Sequence, residues 1–227
     1  MFSFITNILE PLGYLVYFFA MILYQKRQPG ANANFLLIYY FAATGLMWYA
    51  SVLANSGREN IFIYNWLFLP FSIVCCTLYF YFTFRAKVKK MIALFFLGLN
   101  GFLFIFKLLF IKKAVIFDSI GFAVLSLSIV VLSFVYFRHL LSNVSDVSVL
   151  KKYDFWIVSG YIVSFSGSFL VFLTYYYLTK KILATYTSEE RYILTFLWGI
   201  PNIIFSISAL STLTGILWIN YRRKLQL

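Results

Sequence analysis

Charged residues are scarce in this sequence. They make up 11% of its 227 residues, whereas 63% are hydrophobic. Soluble domains carry roughly a quarter charged and about half apolar residues. A water-soluble fold of this length could not bury so much apolar surface, so the composition excludes one and predicts a protein that is solvated by lipid.

The side chains that bind metals or form disulfides are also few. The two cysteines, Cys75 and Cys76, are adjacent within an apolar run, and the one histidine is His139. Adjacent cysteines in lipid provide no disulfide framework. The sequence also lacks H-E-x-x-H, a serine paired with a membrane-embedded histidine, and an aspartate pair. We therefore expect no enzyme activity, no metal and no cofactor.

Seven long apolar runs fill most of the chain. A bilayer core of roughly 30 Å is crossed by about 20 apolar helical residues, so each run predicts one span. The fold class is therefore an all-α integral membrane bundle of seven transmembrane helices, forming one domain over residues 1–227. The predicted spans are 4–24, 34–55, 61–84, 91–111, 114–137, 155–178 and 193–219.

Two of these spans carry further information. Only Lys112 and Lys113 separate the fourth span from the fifth, which predicts a very tight turn. The seventh span contains no lysine, which excludes the Schiff-base linkage that a retinal protein needs in its last helix.

Lysine and arginine, 19 residues against 7 acidic ones, lie mainly at the ends of the spans. At those positions they meet lipid head groups, so we expect no nucleic-acid partner. If the seven predicted spans alternate in direction, most of these residues lie on one side of the membrane. They are Lys26, Arg27, Arg85, Lys87, Lys89, Lys90, Arg138, Lys151, Lys152, Arg222, Arg223 and Lys224. The other side carries Arg58, Lys107, Lys112, Lys113, Lys180, Lys181 and Arg191. The positive-inside rule predicts a bacterial inner-membrane protein with its N-terminus outside and its C-terminus cytoplasmic.

The densest basic cluster is RAKVKK at 85–90, with Arg85, Lys87, Lys89 and Lys90. Its simplest interpretation is a cytoplasmic anchor for the third and fourth spans. The alternative is a docking patch for an acidic partner or a regulatory lipid.

Ionisable side chains within the spans are candidates for function, because each costs roughly 2.5–3.5 kcal/mol at the centre of a helix. The sequence predicts three, which are Glu10, Lys107 and Asp118. Lys107 and Asp118 face each other across the predicted tight turn, so we expect an ion pair that holds this hairpin. A ligand or proton site is the alternative.

Glu10 has two interpretations because Pro11 follows it. If the first helix begins at Pro11, Glu10 is an acidic cap at its start. If it begins nearer Phe4, Glu10 lies about two turns inside as a buried carboxylate, and Pro11 kinks the helix. Three amides, Asn65, Asn100 and Asn202, complete the candidate polar site, and Pro201 before Asn202 predicts a static bend or a hinge.

Small residues in the last two spans predict close helix packing. Gly160, Ser164 and Ser168 recur every four residues and therefore share one helix face. The seventh span has a similar stripe at Ser208, Ser211 and Gly215. Such stripes let helix backbones approach closely. We expect these helices to pack against each other or against a partner chain, so an oligomer is compatible with the pattern.

Three segments resemble a multi-span sensor region common in Bacteroidetes, where it precedes histidine kinases or stands alone. They are IYNWLFLPFSIVCCTLYFYF at 63–82, FWIVSGYIVSFSGSFLVFL at 155–173 and LWGIPNIIFSISALSTLTGILWI at 197–219. The chain departs from that pattern at Gly199 and Pro201, where a second asparagine is expected. It also contains no kinase domain, so the resemblance implies signalling in trans, with the kinase on another chain.

The sequence therefore predicts a membrane sensor or an accessory subunit of a signalling complex. Its expected partners are the lipid bilayer and a histidine kinase or other signalling protein. That partner would contact RAKVKK, the 138–153 loop and the tail, and helix shifts would carry the signal. The alternative is a small transporter of a neutral solute, although spans one to three show no convincing repeat in spans five to seven.

Overall fold

The computed structural model describes residues 2–110, 117–142, 149–182 and 188–225, and side chains within 7–110, 117–142, 149–179 and 192–223. Seven helices run through these residues, and no strand occurs among them. They are α1 (Phe2–Arg27), α2 (Ala31–Asn55), α3 (Leu69–Thr83), α4 (Lys87–Phe110), α5 (Ser119–Ser142), α6 (Tyr153–Ile182) and α7 (Ser188–Leu225). A π-helical segment, Ile63–Phe68, leads into α3, and a short 3-10 turn, Val149–Lys151, precedes α6.

All seven helices are long and apolar enough to cross a membrane, which confirms the predicted fold class. The predicted fifth span began too early, since α5 begins at Ser119 rather than at 114. The predicted tight turn at Lys112 and Lys113 lies outside the described residues, as does 143–148 of the predicted docking loop.

Local sequence explains two of the helix boundaries. After α2, Gly57 adopts a positive φ of 69°, and the Arg58 N–H donates to the Leu53 carbonyl at 2.9 Å, which closes a Schellman motif. Before α3, the Leu69 N–H donates five residues back to the Tyr64 carbonyl. Pro70 follows directly and has no N–H to offer the preceding turn, which accounts for the wider π-helical geometry there.

Six helices form a closed ring, and α4 lies on its outside. Neighbours in the ring are α1 with α2, α2 with α3, α3 with α5, α5 with α6, α6 with α7, and α7 with α1. α4 packs on α3 and more lightly on α5, and only 11% of its span is buried. Because successive helices run in opposite directions, Lys26, Arg85, Lys152 and Arg222 lie at one end of the bundle, here called the basic end.

The predicted stripe of small residues packs α6 against α7 and α1. Ser164 and Ser208 share a hydrogen bond between these helices. A methyl group on Gly160 would clash with the Thr212 hydroxyl of α7 and lie 2.7 Å from the Tyr17 hydroxyl of α1. One on Gly215 would run into the Trp156 indole.

Two members of the predicted stripe lie elsewhere. Ser168 is buried but borders a cavity rather than a tight contact. Ser211 is exposed on the outside of α7, so it does not pack against another helix of this chain, and its packing against a partner chain stays a prediction. Thr212 takes its place, because residues four and seven positions after Ser208 share the inward face of the helix.

We expect Gly160→Leu to destabilise the bundle by about 1–3 kcal/mol, because the added side chain has no space between three helices. Unfolding in mixed micelles with increasing dodecyl sulfate measures the effect. Gly98→Leu is the matched control, because no atom lies within 4 Å of its added methyl group on the exposed face of α4. Equal stability of the two variants would contradict close packing at Gly160.

Candidate functional site

An aromatic cavity lies between α1, α2, α3, α5, α6 and α7, toward the end opposite the basic end. The space open to the centres of water-sized molecules is about 70 Å³, several times the roughly 10–15 Å³ that one water needs. The cavity therefore has room for several waters, and a larger molecule would have to move side chains of its wall.

Among the residues that line the cavity, Glu10 is the one that carries a carboxylate. α1 begins at Phe2, so Glu10 lies eight residues, or about 12 Å, into the helix. The interpretation of Glu10 as a cap before a helix that starts at Pro11 is therefore wrong, because Pro11 lies inside α1. The Tyr64 hydroxyl donates to Glu10 Oε2 at 2.7 Å.

Aromatic rings form most of the wall around Glu10. Phe117 contacts Trp198 edge to face, with ring centroids 4.6 Å apart, and Trp198 meets Tyr64 at 5.3 Å. On the α1 side, the rings of Tyr14 and Phe205 lie 4.3 Å apart. The wall thus offers several ring faces and edges to a bound molecule.

Polar groups from four helices, α3, α5, α6 and α7, complete the wall. Asn202 and Pro201 of α7 both line the cavity, together with Ser72, Ser126, Ser164 and Ser168. The Ser72 hydroxyl donates to the Phe68 carbonyl at 2.7 Å and shares a 3.1 Å hydrogen bond with Tyr39. The cavity therefore combines one carboxylate with hydroxyl and amide groups on an otherwise apolar surface.

A layer of tyrosines closes the bundle on the side of the cavity that faces the basic end. Tyr17 stacks on Tyr40 with centroids 4.6 Å apart, and their exposed fractions are 0% and 1%. Tyr17 shares a 3.0 Å hydrogen bond with Ser208, and Tyr40 donates to the Tyr161 hydroxyl at 3.3 Å. This tyrosine layer separates the cavity from the basic end.

Five of the six residues of the predicted polar site line one of two cavities, and Asn65 lines neither. Glu10 and Asn202 line the aromatic cavity. Asn100, Lys107 and Asp118 line a smaller cavity between α3, α4 and α5, whose space of about 10 Å³ is enough for roughly one water. The three asparagines therefore do not converge, and the smaller cavity is too small for an organic ligand.

The predicted ion pair between Lys107 and Asp118 is present. Asp118 also caps α5, since its carboxylate accepts from the Gly121 N–H at 2.9 Å. Asn100 adds a second link in this hairpin, donating to the Ser128 hydroxyl at 2.9 Å. The smaller cavity thus belongs to the joint between α4 and α5.

The π-helical segment connects the two groups. Tyr64 holds Glu10, and the next residue, Asn65, accepts from the Asp118 N–H at 2.9 Å. π-helical turns occur frequently at functional sites. If Tyr64 moved in the cavity, the adjacent Asn65 would move with it. The contact of Asn65 with Asp118 at the α4–α5 joint would then change.

A third carboxylate within the spans, Asp154, is missing from the sequence prediction. Its Oδ1 accepts from the Tyr24 hydroxyl at 2.7 Å and from the Tyr79 hydroxyl at 3.0 Å, which joins α1 and α3 to α6 at the basic end. The predicted sixth span began at 155, whereas α6 begins at Tyr153. An acid in the first turn of a helix is the signal that could have revealed it.

No family model, no curated protein and no solved structure matches this chain. The resemblance to the sensor regions of histidine kinases therefore stays a prediction from the sequence.

We expect Asp118→Asn to destabilise the α4–α5 joint while keeping the cap, because asparagine can still accept from the Gly121 N–H. Asp118→Ala should lose about a further 1 kcal/mol with the cap. A double-mutant cycle with Lys107→Met should give a coupling energy of about 0.5–3 kcal/mol in unfolding measurements. Lys87→Met, at an exposed lysine, controls for loss of a charge. Strictly additive effects would contradict the ion pair.

Proposed function

We propose that this chain is a membrane sensor or an accessory subunit of a signalling complex. A small ligand binds in the aromatic cavity at the outer end of the bundle, and a cytoplasmic protein reads the resulting helix shift at the basic end. The observation that carries this proposal is the aromatic cavity itself, a hollow lined by Glu10 and aromatic rings and closed toward the basic end by the tyrosine layer.

The distribution of charge supports the orientation. Arg85 and Lys87 are exposed at the turn between α3 and α4, and Lys89 and Lys90 are half-buried beside them. Arg222 lies over the Trp218 ring at 4.6 Å at the same end of the bundle. An excess of lysine and arginine marks the cytoplasmic side of bacterial inner-membrane proteins, so we place the N-terminus outside and the C-terminus in the cytoplasm.

The connections across the bundle support signal transfer. α1 and α7 both contribute to the cavity and both reach the basic end. α1 takes part there in the contact of Tyr24 with Asp154, and α7 in the hydrogen bond from Tyr153 to Asn220 at 2.6 Å. A ligand that shifts either helix at the cavity would alter these contacts, provided that it binds the two arrangements with different affinities.

The second candidate is a small transporter of a neutral solute. Pro201 in α7 lines the cavity, Pro11 directly follows Glu10 in α1, and such prolines allow helices to bend. A carrier would have to separate the Tyr17–Tyr40 stack to open a path to the basic end. The sensor needs only a shift of packed helices, and we therefore place it first.

The sensor proposal predicts a cytoplasmic partner. A mild-detergent pull-down of the tagged chain from its own membranes should recover a histidine kinase or another signalling protein in stoichiometric amount. Changing Arg85, Lys87, Lys89 and Lys90 together to glutamine should lower that recovery roughly tenfold, since each exposed charge pair contributes about 0.2–1 kcal/mol.

The matched control keeps the charge, with Arg85→Lys and lysine-to-arginine changes at the other three positions, and it should retain the partner. Undiminished recovery with the four glutamines would count against docking at this patch. Recovery of the chain alone would overturn the sensor proposal, and counterflow of a neutral solute in proteoliposomes would then establish the transporter.

A further inference from the structure

Glu10 has no cationic partner among the described residues. The Tyr64 hydroxyl is its hydrogen-bond donor and contacts only Oε2. The ion pair in the described part of the chain joins Lys107 to Asp118, at the other, smaller cavity. A carboxylate inside a membrane bundle is costly and is usually paired with a cation or a donor. The Glu10 carboxylate is therefore open to a positively charged group from a ligand.

Among the residues that the structure describes, no cation lies over the rings around Glu10 either. The cation–π contacts that the described residues make involve Tyr81, Tyr153 and Trp218, all near the basic end. Tyr14, Tyr64 and Trp198 line the cavity with Glu10 instead. Faces of tyrosine and tryptophan attract ammonium groups, and cages of such rings recognise them in other proteins.

We propose that the aromatic cavity binds an organic cation, an ammonium carried on an apolar body, with the ammonium against the Glu10 carboxylate. This inference rests on the proposed function and names the ligand class of the same cavity. The apolar body would lie against Phe117, Phe122 and Phe172, and the remaining carboxylate oxygen, Oε1, would accept from the ammonium.

Other ligand classes fit this cavity less well. An anion would meet the Glu10 carboxylate at close range without a compensating cation on the described wall. A neutral aromatic molecule would satisfy the rings but leave Glu10 with Tyr64 alone. A metal ion is disfavoured because no group of three histidine, cysteine or acidic side chains occurs among the described residues.

Binding would also affect the π-helical segment. The ammonium and the Tyr64 hydroxyl would compete for, or share, the same carboxylate, and Tyr64 is followed by Asn65, which holds the Asp118 N–H. Binding of a ligand in the cavity would thereby be linked to the position of the π-helical segment that leads into α3. A sensor requires such a link between its ligand site and the rest of the bundle.

The test compares three probes of one shape, using the full chain in lipid nanodiscs. 2-Phenylethylammonium, 2-phenylethanol and 3-phenylpropanoate share the same phenylethyl body and differ in charge. Saturable binding is measured calorimetrically, and empty nanodiscs supply the background from partition into lipid. We expect the ammonium to bind at least tenfold more tightly than the alcohol, and the carboxylate most weakly.

Glu10→Gln keeps the shape of the side chain and removes its charge. It should weaken binding of the ammonium roughly ten- to a hundredfold, the effect of losing a hydrogen bond to a charged group, and leave the alcohol nearly unchanged. Glu59→Gln is the matched control, because Glu59 is an exposed glutamate between α2 and the π-helical segment. Thermal unfolding of both variants shows whether they remain folded.

The outcomes separate this inference from the sensor proposal. Equal affinity for the ammonium and the alcohol, or a charge preference that survives in Glu10→Gln, would overturn the organic-cation class. If the alcohol then still binds saturably and Ser168→Phe blocks it, the cavity remains a ligand site for neutral molecules. If no probe binds saturably, the inference fails, while the pull-down decides the sensor proposal on separate grounds.

Discussion

In lipid, a buried polar group must find its partner inside the protein, and this constraint organises the bundle. The contacts that satisfy it run between helices that are distant in sequence. Tyr24 and Tyr79 meet on the Asp154 carboxylate, and Tyr64 meets Glu10. Apolar packing alone gives little preference for one helix pairing over another, since lipid tails are equally apolar. These hydroxyl–carboxylate contacts therefore provide much of the specificity of the ring.

Close contact between helix backbones provides the rest of the specificity of helix pairing. α7 approaches α1 at Gly13, where an added methyl group would lie 2.8 Å from the Phe205 ring, and the Ser206 hydroxyl lies 3.1 Å from the Leu9 carbonyl. Glu10 and Phe205, which lie within this joint, also line the aromatic cavity. The cavity is therefore bounded by close contacts between α1 and α7. Its shape is set by the small residues at those contacts and by the aromatic rings of its wall.

Sequence periodicity and hydropathy predict the seven spans well, because apolar length is the dominant signal in a membrane. The Lys107–Asp118 pair was also predictable, since the two residues are close in sequence and charged groups are rare within the spans. The tyrosine contacts were not. Tyr24, Tyr64 and Tyr79 are three of 18 tyrosines, and nothing local distinguishes those that face a carboxylate from those that face lipid. Glu10 was ambiguous because Pro11 suits both a helix start and a buried turn.

The outer position of α4 affects how the protein sits in its membrane. With 24 helical residues, α4 is about 36 Å long, somewhat more than the roughly 30 Å of a hydrocarbon core. A lysine near the end of such a helix normally extends its ammonium to the head groups and adapts to local thickness. Here Asp118 of the neighbouring hairpin arm holds the Lys107 ammonium. The Lys107 ammonium is therefore tied to the start of α5, so this end of α4 is coupled to the next helix of the bundle.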